Sequence, residues 1–393
     1  MAQGVVKLLL ERRGVDPNSS DKDGRGPLSF AAEEGAFDAV ELLLEGGACS
    51  DSADTDGRKP LSYAAQRGAL RVAELLLEYD DVEPDSADTE GRTPLSYAAE
   101  EGALSVAKLL LEHEDVDPDS EDTYRRTPLS YAAEEGALGV VKLLLEKGAC
   151  PDSADTDSRT PLSYAAVAER ESEGIVKLLL ERTGVEPDSS DSDGRTPLSY
   201  AAEGGAQAVV KLFLENNYVD PDSLDSNGRT PLSFAAGSDS DWEQDGIVKL
   251  LLEHEGVDTD LADYDGRTPL SFAAREGAPS VVKLILEWED VNHDSVDADG
   301  RTPLSFAARG GHIGVVKLLL RQRDIDPDSQ DDDGRTPLSY AMEEGAENVV
   351  KLLQEGQAGS PNSCDSNGQK PLSCRHLLGT RSCSKTTPGK QEY

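Results

Sequence analysis

An all-α solenoid is predicted for this chain, and three observations predict it. A phrase written most often as Gly-Arg-Thr-Pro-Leu-Ser-Tyr/Phe-Ala-Ala recurs eleven times, with prolines at Pro27, Pro60, Pro94, Pro128, Pro161, Pro197, Pro231, Pro269, Pro303, Pro337 and Pro371. The copies are 33 to 38 residues apart, most often 34. Each is followed by a second apolar segment of helical period and then by a stretch of turn formers. A period this regular makes one repeat, stacked on the next, the unit of folding.

The copy from Glu90 to Asp122 shows why each element forms. Thr93 is placed to cap a first helix and Pro94 to start it at N1, where a missing N–H costs nothing. Gly102 ends that helix because glycine accepts the left-handed conformation past a C-cap. A second helix carries Leu104, Val106, Ala107, Leu109, Leu110 and Leu111, an apolar surface too broad for a narrow stripe and suited to a helix wedged between repeats. Ala98 and Ala99 allow close approach of the paired helices, with Leu95 filling the space between them. Val116-Asp117-Pro118-Asp119-Ser120-Glu121-Asp122 reads as an extended loop leading to the next Thr-Pro.

Applied to the whole chain, this reading gives a partial repeat over 1–22, with second helix and loop only. An array over 23–373 follows, with repeats starting near 23, 56, 90, 124, 157, 193, 227, 265, 299, 333 and 367. A basic, polar tail over 374–393 is expected to be disordered.

These residues resemble the ankyrin repeat, whose Thr-Pro-Leu helix start, two antiparallel helices and sideways finger loop they reproduce over about residues 4 to 373. The resemblance implies an ankyrin-repeat solenoid of about eleven stacked helix-turn-helix units. One departure is systematic: where the family commonly has Thr-Pro-Leu-His, this chain has Ser in every copy, from Ser29 to Ser373. The side-chain bond that His would make must therefore be replaced or absent. Ser followed by an aromatic residue and Ala-Ala is similar to the ankyrin arrays of filamentous fungi, often C-terminal to a nucleotide-binding switch domain.

With 38 Lys and Arg against 77 Asp and Glu, the net charge is −39. Such a field repels polyanions, so neither nucleic acid nor an anionic membrane is an expected partner. A protein with a basic surface is. Asp pairs such as Asp54 and Asp56, or Asp191 and Asp193, are expected to stack into an acidic ridge of finger loops. Five cysteines form no disulfide framework, no apolar run approaches the ~20 residues that span a bilayer, and no signal-peptide pattern opens the chain. A cytoplasmic or nuclear monomer is expected.

No chemistry-bearing constellation emerges, and neither catalysis, nor a cofactor, nor a metal is expected. The Asp-x-Asp-Gly stretches fail as calcium loops, because the first position is Ser52 or Ser189 and the twelfth Tyr63 or Tyr200. Cys364, Cys374, His376 and Cys383 lack the tight Cys pair of a zinc site. Cys49 and Cys150 are expected to pack as small hydrophobes, and His312 to have a structural role.

What remains is recognition. The resemblance implies a concave face built from finger loops and first-helix ends, and here those ends are the two residues after Ala-Ala. Glu33, Glu34, Glu100, Glu101, Glu134 and Glu135 make it acidic, while Arg275 and Arg309 mark a mixed zone. Two copies are lengthened, and the longer insertion carries Trp242, a candidate anchor. The function expected is that of a non-enzymatic protein-interaction scaffold. The alternative is a ligand-sensing or autoinhibitory arm of a larger nucleotide-binding switch protein.

Overall fold

The computed structural model describes residues 2–12, 15–168, 171–216, 218–238, 244–288 and 291–355, with side chains over the same residues apart from 2–5 and 355. Trp242, the repeat expected near 367, the tail and its cysteines lie outside the described residues. Among those described there are twenty-one α-helices and no strand, an all-α repeat solenoid. None of these helices is long and apolar enough to cross a membrane.

The chain divides into two compact units, Met1–Ser192 and Asp193–Tyr393. In the first, α1 (Ala2–Leu10) precedes five helix pairs: α2 (Pro27–Glu33) with α3 (Phe37–Glu45), α4 (Pro60–Arg67) with α5 (Leu70–Leu77), α6 (Pro94–Glu100) with α7 (Leu104–Leu110), α8 (Pro128–Glu134) with α9 (Leu138–Glu146), and α10 (Pro161–Val167) with α11 (Ser172–Leu180). The first helices of successive pairs pack in one layer and the second helices in another, where α1 lies against α3. In the second unit the pairs are α12 (Pro197–Glu203) with α13 (Gln207–Leu214), α14 (Pro231–Ala236) with α15 (Gln244–Glu253), α16 (Pro269–Glu276) with α17 (Pro279–Leu286), α18 (Pro303–Arg309) with α19 (Ile313–Leu319), and α20 (Pro337–Glu343) with α21 (Glu347–Glu355).

The repeated phrase performs the same task at each copy. Thr93 Oγ1 accepts the N–H of Ser96, and Pro94 sits at N1. The same bond starts α8, α10, α12, α14, α16, α18 and α20. Gly26 and Lys59 take the threonine's place at α2 and α4, which have no side-chain cap. Gly102 follows the first helix with φ +64°. Leu95, Ala98, Ala99, Val106, Ala107 and Leu110 are all fully buried, so the core of a repeat lies between its own pair and its neighbours'.

The serine that replaces histidine stays within its own helix start, its hydroxyl 3.3 Å from the capping Thr93 Oγ1. Neighbouring fingers are linked by one backbone bond each: the N–H of Thr55, Thr89, Thr123, Thr156 and Ser192 donates to the carbonyl of Asp23, Asp56, Glu90, Tyr124 and Asp157, at 2.8–2.9 Å. This close approach explains the finger glycine. A Cβ on Gly91 would stand 2.9 Å from Asp122 Cα, and its φ of +82° is in the left-handed region. Two fingers nevertheless carry side chains there, Arg125 at φ +60° and Ser158 at φ +62°.

Left-handed non-glycine residues cost roughly 1–3 kcal/mol, partly offset by the chain entropy that glycine loses on folding. Arg125→Gly and Ser158→Gly are therefore each expected to stabilise the first unit by about 1 kcal/mol. A urea midpoint that falls in either variant would contradict this.

Candidate protein-interaction surface

The ends of the first helices are tied to the fingers by two couplings that repeat along the chain. The first is a ladder in which the arginine of five phrases reaches the residue eight positions on. Arg25 Nη2 donates to Glu33 at 2.5 Å, Arg58 to Gln66 at 2.6 Å and Arg92 to Glu100 at 2.6 Å. Arg126 bonds Glu134, and Arg195 bonds Glu203. The second joins the tyrosine of the phrase to the aspartate nine residues before it. Tyr63, Tyr97, Tyr131, Tyr164 and Tyr340 donate their hydroxyls to Asp54, Asp88, Asp122, Asp155 and Asp331 at 2.5–2.6 Å.

The arginines and aromatic rings also alternate in space. Arg92 lies 4.1 Å from the Tyr97 centroid and 4.3 Å from that of Tyr131, and Arg126 lies 4.0 Å from Tyr131 and 4.3 Å from Tyr164. Arg25 and Arg58 continue the stack within the first unit, and Arg195 and Arg229 repeat it within the second. A guanidinium between two ring faces is attracted to both and stays flat and immobile. Burial, and then the bond to Asp54, pushes the Tyr63 hydroxyl up to about 12, and the same two causes raise Tyr97, Tyr131, Tyr164 and Tyr340.

The aspartate at the base of each finger turn is consequently an internal strut. Asp54 Oδ1 accepts the N–H groups of Asp56 and Arg58, which leaves Oδ2 for Tyr63. Asp122, Asp155, Asp191, Asp225, Asp263, Asp297 and Asp331 are all buried. The expected acidic ridge is thus made mainly by the second member of each pair, such as Asp56, Asp157, Asp265, Asp299 and Asp333, which are exposed. In one repeat where phenylalanine replaces tyrosine, an arginine is the donor instead: Arg301 turns both Nε and Nη2 onto Asp297 Oδ2, at 2.8 and 2.7 Å, near Phe306.

Of the predicted site residues, Glu33, Glu100 and Glu134 are half-buried and held by their ladder arginines, whereas Glu34, Glu101 and Glu135 are exposed. Glu100, Glu101, Glu134 and Glu135 come together on α6 and α8. Partial burial, followed by repulsion from Glu134, Glu100 and Glu101, holds the Glu135 carboxyl above the usual range. Arg275 and Arg309 are exposed, in loose pairs with Glu276 at 3.7 Å and Glu344 at 3.4 Å.

Two other expectations meet the structure differently. His312 is structural as expected, its Nε2 lying 2.9 Å from the Arg275 carbonyl. Cys49 and Cys150 are exposed rather than packed. What anchors them is the main chain, whose N–H groups donate to Asn18 Oδ1 at 2.7 Å and Asp119 Oδ1 at 2.8 Å. Among the described residues no group of His, Cys, Asp and Glu is arranged to hold a metal ion.

A repeated helix pair with a capped Thr-Pro start, a finger linked to its neighbour and a row of helix ends defines a class of repeat protein that offers one extended face to other molecules. The family described as ankyrin repeats (3 copies) matches residues 1–88, 80–155, 116–191, 162–263, 217–295 and 270–365. The chain belongs to the ankyrin-repeat family, whose members generally serve as protein–protein interaction modules. No curated protein matches the chain.

Proposed function

We propose that the chain is a non-enzymatic interaction scaffold that binds a partner with a basic surface through the first-helix ends and finger loops of its first unit. One observation carries this reading. At the C-terminal ends of α6 and α8 four carboxylates are gathered, where partial burial and then mutual repulsion hold Glu135 above the usual range, and the two ladder arginines beside them are already committed to Glu100 and Glu134. A cationic group docked against Glu101 and Glu135 relieves that repulsion, and the rigid stacks behind them keep the acceptors in place without an ordering cost at binding.

The test is affinity capture by the purified chain beside a Glu100/Glu101/Glu134/Glu135→Lys variant, at low and at high salt. A basic protein retained by the wild type, released by salt and absent from the variant is the expected result. Partners held equally by both proteins would remove this face from consideration.

A further inference from the structure

The coupling between ladder arginine and helix end is reversed in charge in two successive repeats of the second unit. Eight residues after Arg267 stands Arg275, and eight after Arg301 stands Arg309, where Arg25, Arg92, Arg126 and Arg195 each find a glutamate and Arg58 a glutamine. The carboxylate that receives the guanidinium of Arg25, Arg92, Arg126 and Arg195 is missing in both repeats, and a second cation takes its place.

These four arginines line a cleft of 510 Å³, together with Phe306, Gly310 and Glu344. The ladder members are turned to the finger aspartates: Arg301 grips Asp297 and Asp299 at 2.7 Å, and Arg267 meets Asp265 at 3.1 Å. Arg275 and Arg309 are left with exposed pairs at 3.7 and 3.4 Å, a class of contact worth little. Their side chains are 57% and 55% exposed. Arg267 Nε is buried without a hydrogen bond.

We infer that this cleft binds an acidic segment of a partner protein, whose carboxylates take the part that Glu33, Glu100, Glu134 and Glu203 play toward their own ladder arginines. This goes beyond the basic-partner reading, because it concerns the opposite charge on a different unit. A carboxylate, rather than another anion, follows from the ladder itself, in which the same planar guanidinium already donates through Nη2 to a Glu carboxylate oxygen. Guanidinium forks suit that planar acceptor. A segment, rather than a single small acid, follows from the spacing. Packed helices lie ~8–10 Å apart, and side chains on one side of an extended chain recur about every 7 Å, so alternate acidic residues reach both repeats. Phe306 supplies an apolar floor.

The test is fluorescence anisotropy of a labelled pentapeptide alternating glycine and glutamate, titrated with the full chain at about 150 mM salt, where the field of the chain's net negative charge is screened beyond ~8 Å. Saturable binding with Kd under ~1 mM is expected, weakened at least about tenfold by Arg275→Glu with Arg309→Glu. Those substitutions restore the residue found at this point in other repeats. Arg275→Gln with Arg309→Gln, which copies the natural Gln66 of the second repeat, gives a neutral second variant. Binding that fails to saturate, or that both variant pairs leave unchanged, overturns the proposal. Equal binding of the matching glycine-lysine peptide overturns it as well. Displacement of the peptide by an equal concentration of inorganic phosphate overturns the assignment to a protein segment, because the cleft then selects charge alone.

Discussion

Cutting Tyr131 back to alanine is expected to destabilise the first unit by about 4 kcal/mol, the range of buried aromatic truncations. Three losses combine. The ring is buried between Arg92 and Arg126, so its removal leaves a cavity and ends two cation–π contacts at once. The hydroxyl is the donor to Asp122 Oδ2, so a buried carboxylate is also stripped of a partner. Tyr131→Phe separates these effects. It keeps the ring and strands only the carboxylate, at a cost of about 1–2 kcal/mol. Since repeats touch only their neighbours, hydrogen-exchange protection should fall in α6, α8 and the fingers between them, with little change at α2. Equal destabilisation by the two variants, or protection lost evenly along the unit, would show that the stack does not carry local stability.

The fold was legible in the sequence because its determinants are local and repeated. Thr at the cap, Pro at N1 and Gly past the C-terminus each act within a few residues, and eleven copies remove the ambiguity of any one. The candidate surface was legible only in part, because its chemistry depends on couplings at eight and nine residues. Glu33, Glu100 and Glu134 read as free surface acids, but in space each lies beside the arginine of its own phrase. Asp54 and its counterparts read as exposed turn residues, but the tyrosine hydroxyl and two backbone N–H groups draw the carboxylate inward. A signal was present in the correlation between positions: Glu or Gln eight residues after most ladder arginines, and Arg after two of them. The exposure of Cys49 and Cys150 had its own signal, because the same position in other copies is held by Glu83, Asp117, Glu186, Asp220, Asp258, Asn292 and Asp326. The buried place of this loop is one residue earlier, at Val82, Val116 and Ala149, and the cysteines stand where Glu83 and Asp117 are exposed.

Moderate acidification is expected to stabilise this protein, the reverse of the usual effect on a protein rich in ion pairs. The cause is a second row of aspartates in the fingers. Asp119 Oδ1 accepts the N–H of Cys150, Asp222 that of Asp258, Asp260 that of Asn292 and Asp294 that of Asp326, at 2.7–3.1 Å. Each acceptor is partly buried, and most face another carboxylate close by. Burial, the larger cause, raises Asp85, Asp119, Asp152, Asp260 and Asp294 above the ordinary value, and carries Asp222 to about 6. A raised folded-state value means that the native protein holds more protons than the unfolded chain, so stability falls as pH rises through that value. The contribution is complete below the unfolded value of 3.8 and is lost, for Asp222, as pH passes about 6. Between pH 7.5 and 5 the urea midpoint should therefore climb. Asp222→Asn keeps an oxygen acceptor for the Asp258 N–H and removes the charge. It should stabilise the second unit by about 1 kcal/mol at pH 7.5, a figure reduced for solvent screening of a half-buried group, and should flatten the pH dependence. Added salt screens the same repulsion and should stabilise in parallel. A midpoint that falls steadily from pH 7.5 to 5 would mean that the ion pairs, and not this row of crowded carboxylates, dominate the electrostatics of folding.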